Sequence, residues 1–255
     1  MRAGAALLAA ALAGCAPRSP AHVVPPFATV PYQPFSRAAA VAIALGEWRA
    51  FGAPVDDAPP AARPSAAPDG KPERYDGLWQ RVGEYWWQGL DGRTRAARWT
   101  GKHDAAGRAF PPDDDGRYAW SAAFISYVMR LAGAGPRFPY SAAHDTYINA
   151  ARAMSLGRAM RWAVIAEPPS VYAPQVGDLI CLSRTVVPLT FDDLPAGQFP
   201  AHCDLVVAAA PGLLTVVGGN VDDAVTLRHV PLTADGLLAD ARYPWFVVLR
   251  VLYDE

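Results

Sequence analysis

A serine stands where a nucleophile could be placed. In AWSAAFISYVMR, residues 119–130, Ser121 follows Trp120 at the first turn of what reads as a mostly buried helix. Three readings stay open for it: a catalytic hydroxyl, a helix cap, or the remnant of a lost active site. Serine is among the favoured N-cap residues, so a cap there implies no chemistry. Catalysis asks for more. A serine hydroxyl titrates many units above a thiol, and a helix dipole alone cannot ionise it. It needs a general base in the transition state and donors for an oxyanion.

The chain has five histidines. His144, followed by Asp145, opens a helical stretch and reads equally as a structural pair at a helix start. His202, two residues before Asp204, opens a strand-like run. His22 reads as part of a tether and His229 as an exposed strand residue. His103 and Asp104 sit in a polar loop with no further ligand at metal spacing. Asp113, Asp114 and Asp115 read as a solvated turn, because the spacing of a calcium loop is missing.

The elements that must position these groups fall into two halves. Ser36 caps a helix through RAAAVAIALGEWRAFG, with Ala40, Ile43, Ala44 and Trp48 at helical spacing. A second helix runs through YDGLWQRVGEYWWQGL. Its Leu78, Val82, Tyr85, Trp86 and Leu90 form one face, read as a core face or as an aromatic platform for sugar rings or peptide stems. Next come the Ser121 helix, about residues 121–132, and SAAHDTYINAARAMSLG with Ser141 as cap. After residue 160 the pattern changes to short runs rich in Val, Ile and Leu: RWAVIAE, GDLICLS, CDLVVAAA, LLTVVGGN, AVTLRHV and WFVVLRVL. Turn residues separate them, as in a largely antiparallel sheet. Helices first and strands second define an α+β class.

Composition narrows the setting. The 255 residues carry a formal net charge of −1, so no basic field points to nucleic acid. MRAGAALLAAALAGC is a short apolar run after one Arg, and its Leu-Ala-Gly-Cys order resembles the bacterial lipobox, with an ordinary secretory signal as the alternative. On the lipobox reading Cys15 is lipidated, and Ala16 after it leans towards the outer membrane. Residues 16–35 are proline-rich and lack periodicity, like a tether. Cys181 and Cys203 then remain, as one disulfide in an oxidising compartment or as two buried thiols.

WSAAFISYVMRLAG is similar to the nucleophile helix of the CHAP amidase–peptidase family, W-C-A-A-F-V-S-x-V. The VGDLIC strand, the His of AHCDLVV and the Asn after LTVVGG follow in that family's order. This resemblance covers about residues 118–225. A closer one, from about residue 36 onwards, is to uncharacterised bacterial envelope proteins related to the CHAP and NlpC-type enzymes. In those, Ser stands at the Cys position, and EW, HDTYI and HCD recur. The resemblance implies a papain-like fold, with N-terminal helices packed on a C-terminal antiparallel sheet. It implies Ser121 in the nucleophile's place, His202 in the base's and Asn220 in the orienting residue's. Trp120, His144, Asp145 and Asp204 are possible supporting residues.

The expected organisation is a lipoprotein signal peptide over 1–14, a proline-rich tether over 15–35 and one domain over 36–255. Within that domain, 36–117 is a helical extension and 118–255 the core. The expected function is a lipid-anchored hydrolase of amide or ester bonds on the periplasmic side of the cell envelope, acting on peptidoglycan peptides. The alternative is an inactive lipoprotein that binds cell wall or an envelope protein. No cofactor or metal is expected. The stretch RTVVPLTFDDLPAGQFP, before His202, is too long for a tight hairpin and is expected near the cleft.

Overall fold

The computed structural model describes residues 34–254, apart from 60, 61, 63–66, 68, 69, 91 and 93. The signal peptide, Cys15, His22 and all but the end of the tether lie outside the described residues. No helix among the described residues is long and apolar enough to cross a membrane.

Four α-helices come first: α1 (Arg37–Ala50), α2 (Leu78–Gly89), α3 (Ser121–Leu131) and α4 (His144–Ser155). Six strands follow: β1 (Val164–Glu167), β2 (Leu179–Ser183), β3 (Ala201–Ala210), β4 (Leu213–Val221), β5 (Ala224–Pro231) and β6 (Trp245–Val251). They form one sheet in the order β1-β6-β2-β3-β4-β5. Every neighbouring pair is antiparallel. The fold is α+β, and each apolar run after residue 160 became a strand.

Helix starts differ from the expectation in two places. Ser36 does cap α1, its Oγ accepting from Ala39 N at 3.2 Å. Ser141 does not cap α4; the N-cap is Ala143, and Ser141 Oγ accepts from Ala143 N instead. Nor does Ser121 cap α3: it is the first helical residue, behind Trp120 as N-cap, and no side chain caps that end. Its backbone is already helical, whereas an N-cap must be extended to turn its oxygen onto the first amides.

The sheet is covered on both faces. The larger core joins Trp120, Phe124, Val128 and Tyr147 to Leu179, Cys181, Cys203, Leu205 and Leu249. A smaller core holds Ile180, Val206, Val216 and Val248 under Tyr172, Leu238 and Trp245. Burial on both sides explains why β2 is buried at all five positions rather than at alternate ones. On α2, Val82, Tyr85, Trp86 and Leu90 are buried, so that face belongs to the core.

Glu47 ties three helices together. Its carboxylate accepts from Arg81 NH1 at 3.0 and 2.8 Å, from Tyr85 OH at 2.6 Å and from Tyr127 OH at 3.2 Å. A buried carboxylate is tolerable when its lone pairs are used in this way. Cys181 and Cys203 are register partners on β2 and β3, and a disulfide joins them. The bridge spans 22 residues, a loop for which chain entropy gives a stabilisation of about 3 kcal/mol.

Candidate functional site

Ser121 Oγ lies 2.7 Å from His144 Nε2. The pair arises where two helices begin: Ser121 opens α3 and His144 opens α4. On the far side of the imidazole, His144 Nδ1 and the Tyr147 hydroxyl are hydrogen-bonded, one helical turn along. Burial holds the His144 pKa well below the usual histidine value, and the His202 and Arg184 charges push the same way. The ring is therefore neutral at pH 7. Tyr147 stays protonated, its pKa raised by burial and by Asp145 and Asp204.

His202 stands beside this pair without bonding to Ser121. The His144 and His202 rings are 5.5 Å apart, centroid to centroid. His202 Nε2 lies 2.8 Å from Asp204 Oδ1, and Arg228 closes the chain on Asp204 Oδ2. The residue in the base's position is thus bound by its own strand's carboxylate, and α4 supplies the serine's partner. Burial lowers the His202 pKa to about 4 despite the carboxylate beside it. Burial alone would raise Asp204, but Arg228 and His202 hold it below the usual carboxylate range. A carboxylate can only accept, so the His202 proton sits on Nε2. That leaves Nδ1 as an acceptor, and it has no partner among the described residues.

Two glycines allow this crowding. A Cβ at Gly218 would lie 3.0 Å from His202 Nε2 and collide with Asp204 Oδ1. A Cβ at Gly219 would lie 2.6 Å from Phe124 Cβ and 2.8 Å from the Trp120 ring. The two residues let β4 press against the polar chain and the start of α3.

The other expected residues are placed as follows. Asn220 has a left-handed backbone (φ 55°) at the end of β4 and makes no hydrogen bond to either imidazole among the described residues. Asp145 Oδ2 accepts from Phe199 N at 3.4 Å, which ties α4 to the chain just before β3. Trp120 donates its indole N–H to Glu73, a contact between residues 47 apart. Burial raises the Glu73 pKa to about 8, helped by the charges of Asp223 and Asp115. The segment 184–200 rests on α4: Asn149 exchanges two hydrogen bonds with Ala196 at 2.9 and 3.0 Å, and Arg152 stacks over Phe191.

The solvated turn expected at Asp113–Asp115 is corrected at Asp115, which is buried and paired with Lys71 at 2.6 Å and Arg74 at 2.9 Å. Carboxylate oxygens of Glu73, Asp115 and Asp223 lie within 4.8 Å of one another, as a cation site would need. Lys71 and Arg74 already supply the countercharge there, and the raised pKa of Glu73 favours its protonated form. The set reads as an ion-pair network. His103 and His229 are likewise engaged, with Thr100 at 3.3 Å and with Asp57 at 2.9 Å.

Fold and site together define an α+β domain with a buried serine–histidine pair at the meeting of two helix starts. The chain belongs to the family described as "uncharacterized protein conserved in bacteria (DUF2272)", whose model matches residues 73–251, from Glu73 to β6. No curated protein and no solved structure matches the chain significantly.

Proposed function

We propose that this protein is a serine hydrolase of amide or ester bonds, anchored through Cys15 in the bacterial cell envelope on its periplasmic side, at the outer membrane. Its proposed substrates are peptidoglycan peptides. The observation that carries the reading is the 2.7 Å contact between Ser121 Oγ and His144 Nε2 at an uncapped helix start. With the His144 proton on Nδ1 and shared with Tyr147, Nε2 is free to accept. Ser121 then attacks the carbonyl carbon while its proton passes to His144 Nε2. The first N–H groups of α3 have no internal acceptors and no side-chain cap, which makes them the donors for the developing oxyanion in this reading. His144 passes the proton to the departing amine or alcohol, and water reverses the sequence to free the acid. Asp204 favours the charged form of His144, as the imidazolium stage requires.

The order of Ser121, His202 and the sheet also supports kinship with the papain-like CHAP and NlpC-type enzymes, with the base relocated to α4. A second reading, an inactive lipoprotein that binds cell wall or an envelope protein, is favoured by the closure of the site: Ser121 is only 6% exposed and His144 5%. A fluorophosphonate probe separates the two. A hydrolase should be labelled at Ser121, found by peptide mass spectrometry, and His144→Ala should abolish the labelling. A folded protein that takes up no probe at Ser121 and cleaves no peptidoglycan peptide is the binding lipoprotein.

A further inference from the structure

The catalytic reading leaves a cavity and three side chains unused. Between the end of α2 and the loop after His103 lies a cavity of about 400 Å³, lined by Gly92, Thr94, Arg95, Arg98, Ala105 and Ala106. Arg95 and Arg98 have no side-chain hydrogen bond or ion pair among the described residues. Arg49, Arg158 and Arg161 share that condition among the described residues, but none of them lines this cavity. Arg74, Arg81, Arg137, Arg228, Arg242 and Arg250 each pair with a carboxylate. Asp104, next in sequence to the lining residue Ala105, is already satisfied by the Arg108 side chain and by the amides of Ala106 and Arg108. Among the described residues, no carboxylate pairs with the two arginines that line the cavity.

Its wall is anchored. Ala97 is buried, Thr94 Oγ1 accepts from Ala97 N at 3.3 Å, and Trp99 packs edge-on against Trp86 at 5.0 Å. At its rim stands Trp87. Its neighbour Trp86 is 1% exposed and explained by the core, but Trp87 is 50% exposed. The Trp87 ring covers Gly92, where a Cβ would meet it at 3.0 Å. The end of α2, which leads into this wall, packs closely on the candidate nucleophile's helix: a Cβ on Gly89 would lie 2.6 Å from the Ala123 carbonyl oxygen.

We infer that this cavity is a binding subsite for an anionic sugar chain. Arg95 and Arg98 take its carboxylate or phosphate groups, and Trp87 stacks on the face of a sugar ring. Arginine's planar fork suits such anions, and an exposed indole offers a flat apolar face with little conformational freedom to lose. The inference rests on the proposed function only for what happens next to the bound chain. Binding is separable from cleavage.

The test is calorimetric titration of the full-length Ser121→Ala protein with four probes: a soluble disaccharide-peptide of peptidoglycan, lipopolysaccharide, chitotetraose as a neutral sugar and inorganic phosphate. One of the two charged glycans should bind best, and which one identifies the anion as carboxylate or phosphate. Arg95→Gln/Arg98→Gln should weaken that binding at least tenfold and leave chitotetraose unchanged. Trp87→Ala should weaken both. Charged-glycan binding within twofold of the parent in the arginine variant would overturn the inference. So would phosphate binding as tightly as either glycan, which would mark a bare anion site. Loss of fluorophosphonate labelling would end the hydrolase reading and leave these titrations unaffected.

Discussion

Two serines stand at the starts of two helices, and a cap is one reading that the sequence offers for both. Ser36 precedes α1 with an extended backbone, and its hydroxyl accepts from the third residue on. Ser121 is one position further in, and its hydroxyl faces His144. What replaces the cap at α3 is bulk. Trp120 is fully buried, bonded to Glu73 and packed against Phe51 and Tyr85, with β4 wedged beneath it. A helix start fixed by such packing can leave its polar groups free for a substrate. A helix start fixed by a cap has used them.

The largest expected effect comes from exchanging Ser121 for alanine. Ser121→Ala should lower hydrolysis by on the order of a thousandfold or more; no cap is lost, but the buried His144 Nε2 loses its partner, at a stability cost of about 1–3 kcal/mol. Activity on a peptidoglycan peptide equal to that of the parent would collapse the distinction between the two sites.

The next effect concerns pH. In the unfolded chain a histidine takes up its proton near pH 6.5, but folded His202 does so only near 4. The folded state binds fewer protons between these values, so stability is full above about pH 6.5 and is lost as the pH falls towards 4. His202 accounts for about 3 kcal/mol of that decline, and His144 acts in the same direction. Glu73 acts oppositely, because its raised pKa gives stability that is lost as the pH rises from 4.5 through about 8. Urea unfolding at pH 7 and pH 4.5 should show a clearly smaller decline for His202→Gln than for the parent. An unchanged decline would place the pH sensitivity elsewhere.

A smaller change tests the wedge. Gly219→Ala removes no polar group, yet its methyl must displace Phe124 or Trp120, at a cost of about 2 kcal/mol. It should also reduce fluorophosphonate labelling by moving Ser121 away from His144. Parent-like labelling would mean that α3 is positioned independently of β4. The smallest effect belongs to Ser36→Ala, a loss of about 1 kcal/mol with turnover unchanged, read by thermal unfolding and an activity assay side by side.

Much of the fold was legible because strand and helix periods differ and the chain does not mix them. Turn residues punctuate the second half, and the apolar runs are short, so six strands could be read from AVTLRHV and its fellows. The Ser36 cap was legible because it is local. The serine's partner was not. His144 reaches Ser121 only because α4 packs over β1 and β3 and α3 over β3 and β4, and no sequence period records that. A signal did exist: histidine opens α4 with tyrosine three residues on, a spacing that puts both on one helix face. Arg228 offered another. A charge inside AVTLRHV must find a buried partner, and Asp204 was the acid at a matching place on another strand. The Trp120–Glu73 contact had no local sign at all.

The disulfide has a consequence for strand alignment. Cys203 lies between His202 and Asp204, and it is held opposite Cys181. β2 is apolar on both faces, so hydrophobicity alone does not tell one alignment from the next. A slip of one residue would turn His202 and Asp204 to the other side of the sheet. The bond between the two sulfurs forbids that slip. In an oxidising compartment the bridge acts as a pin through two strands, fixing which residues face which way. A chain folding in reducing surroundings would have to find that alignment without it.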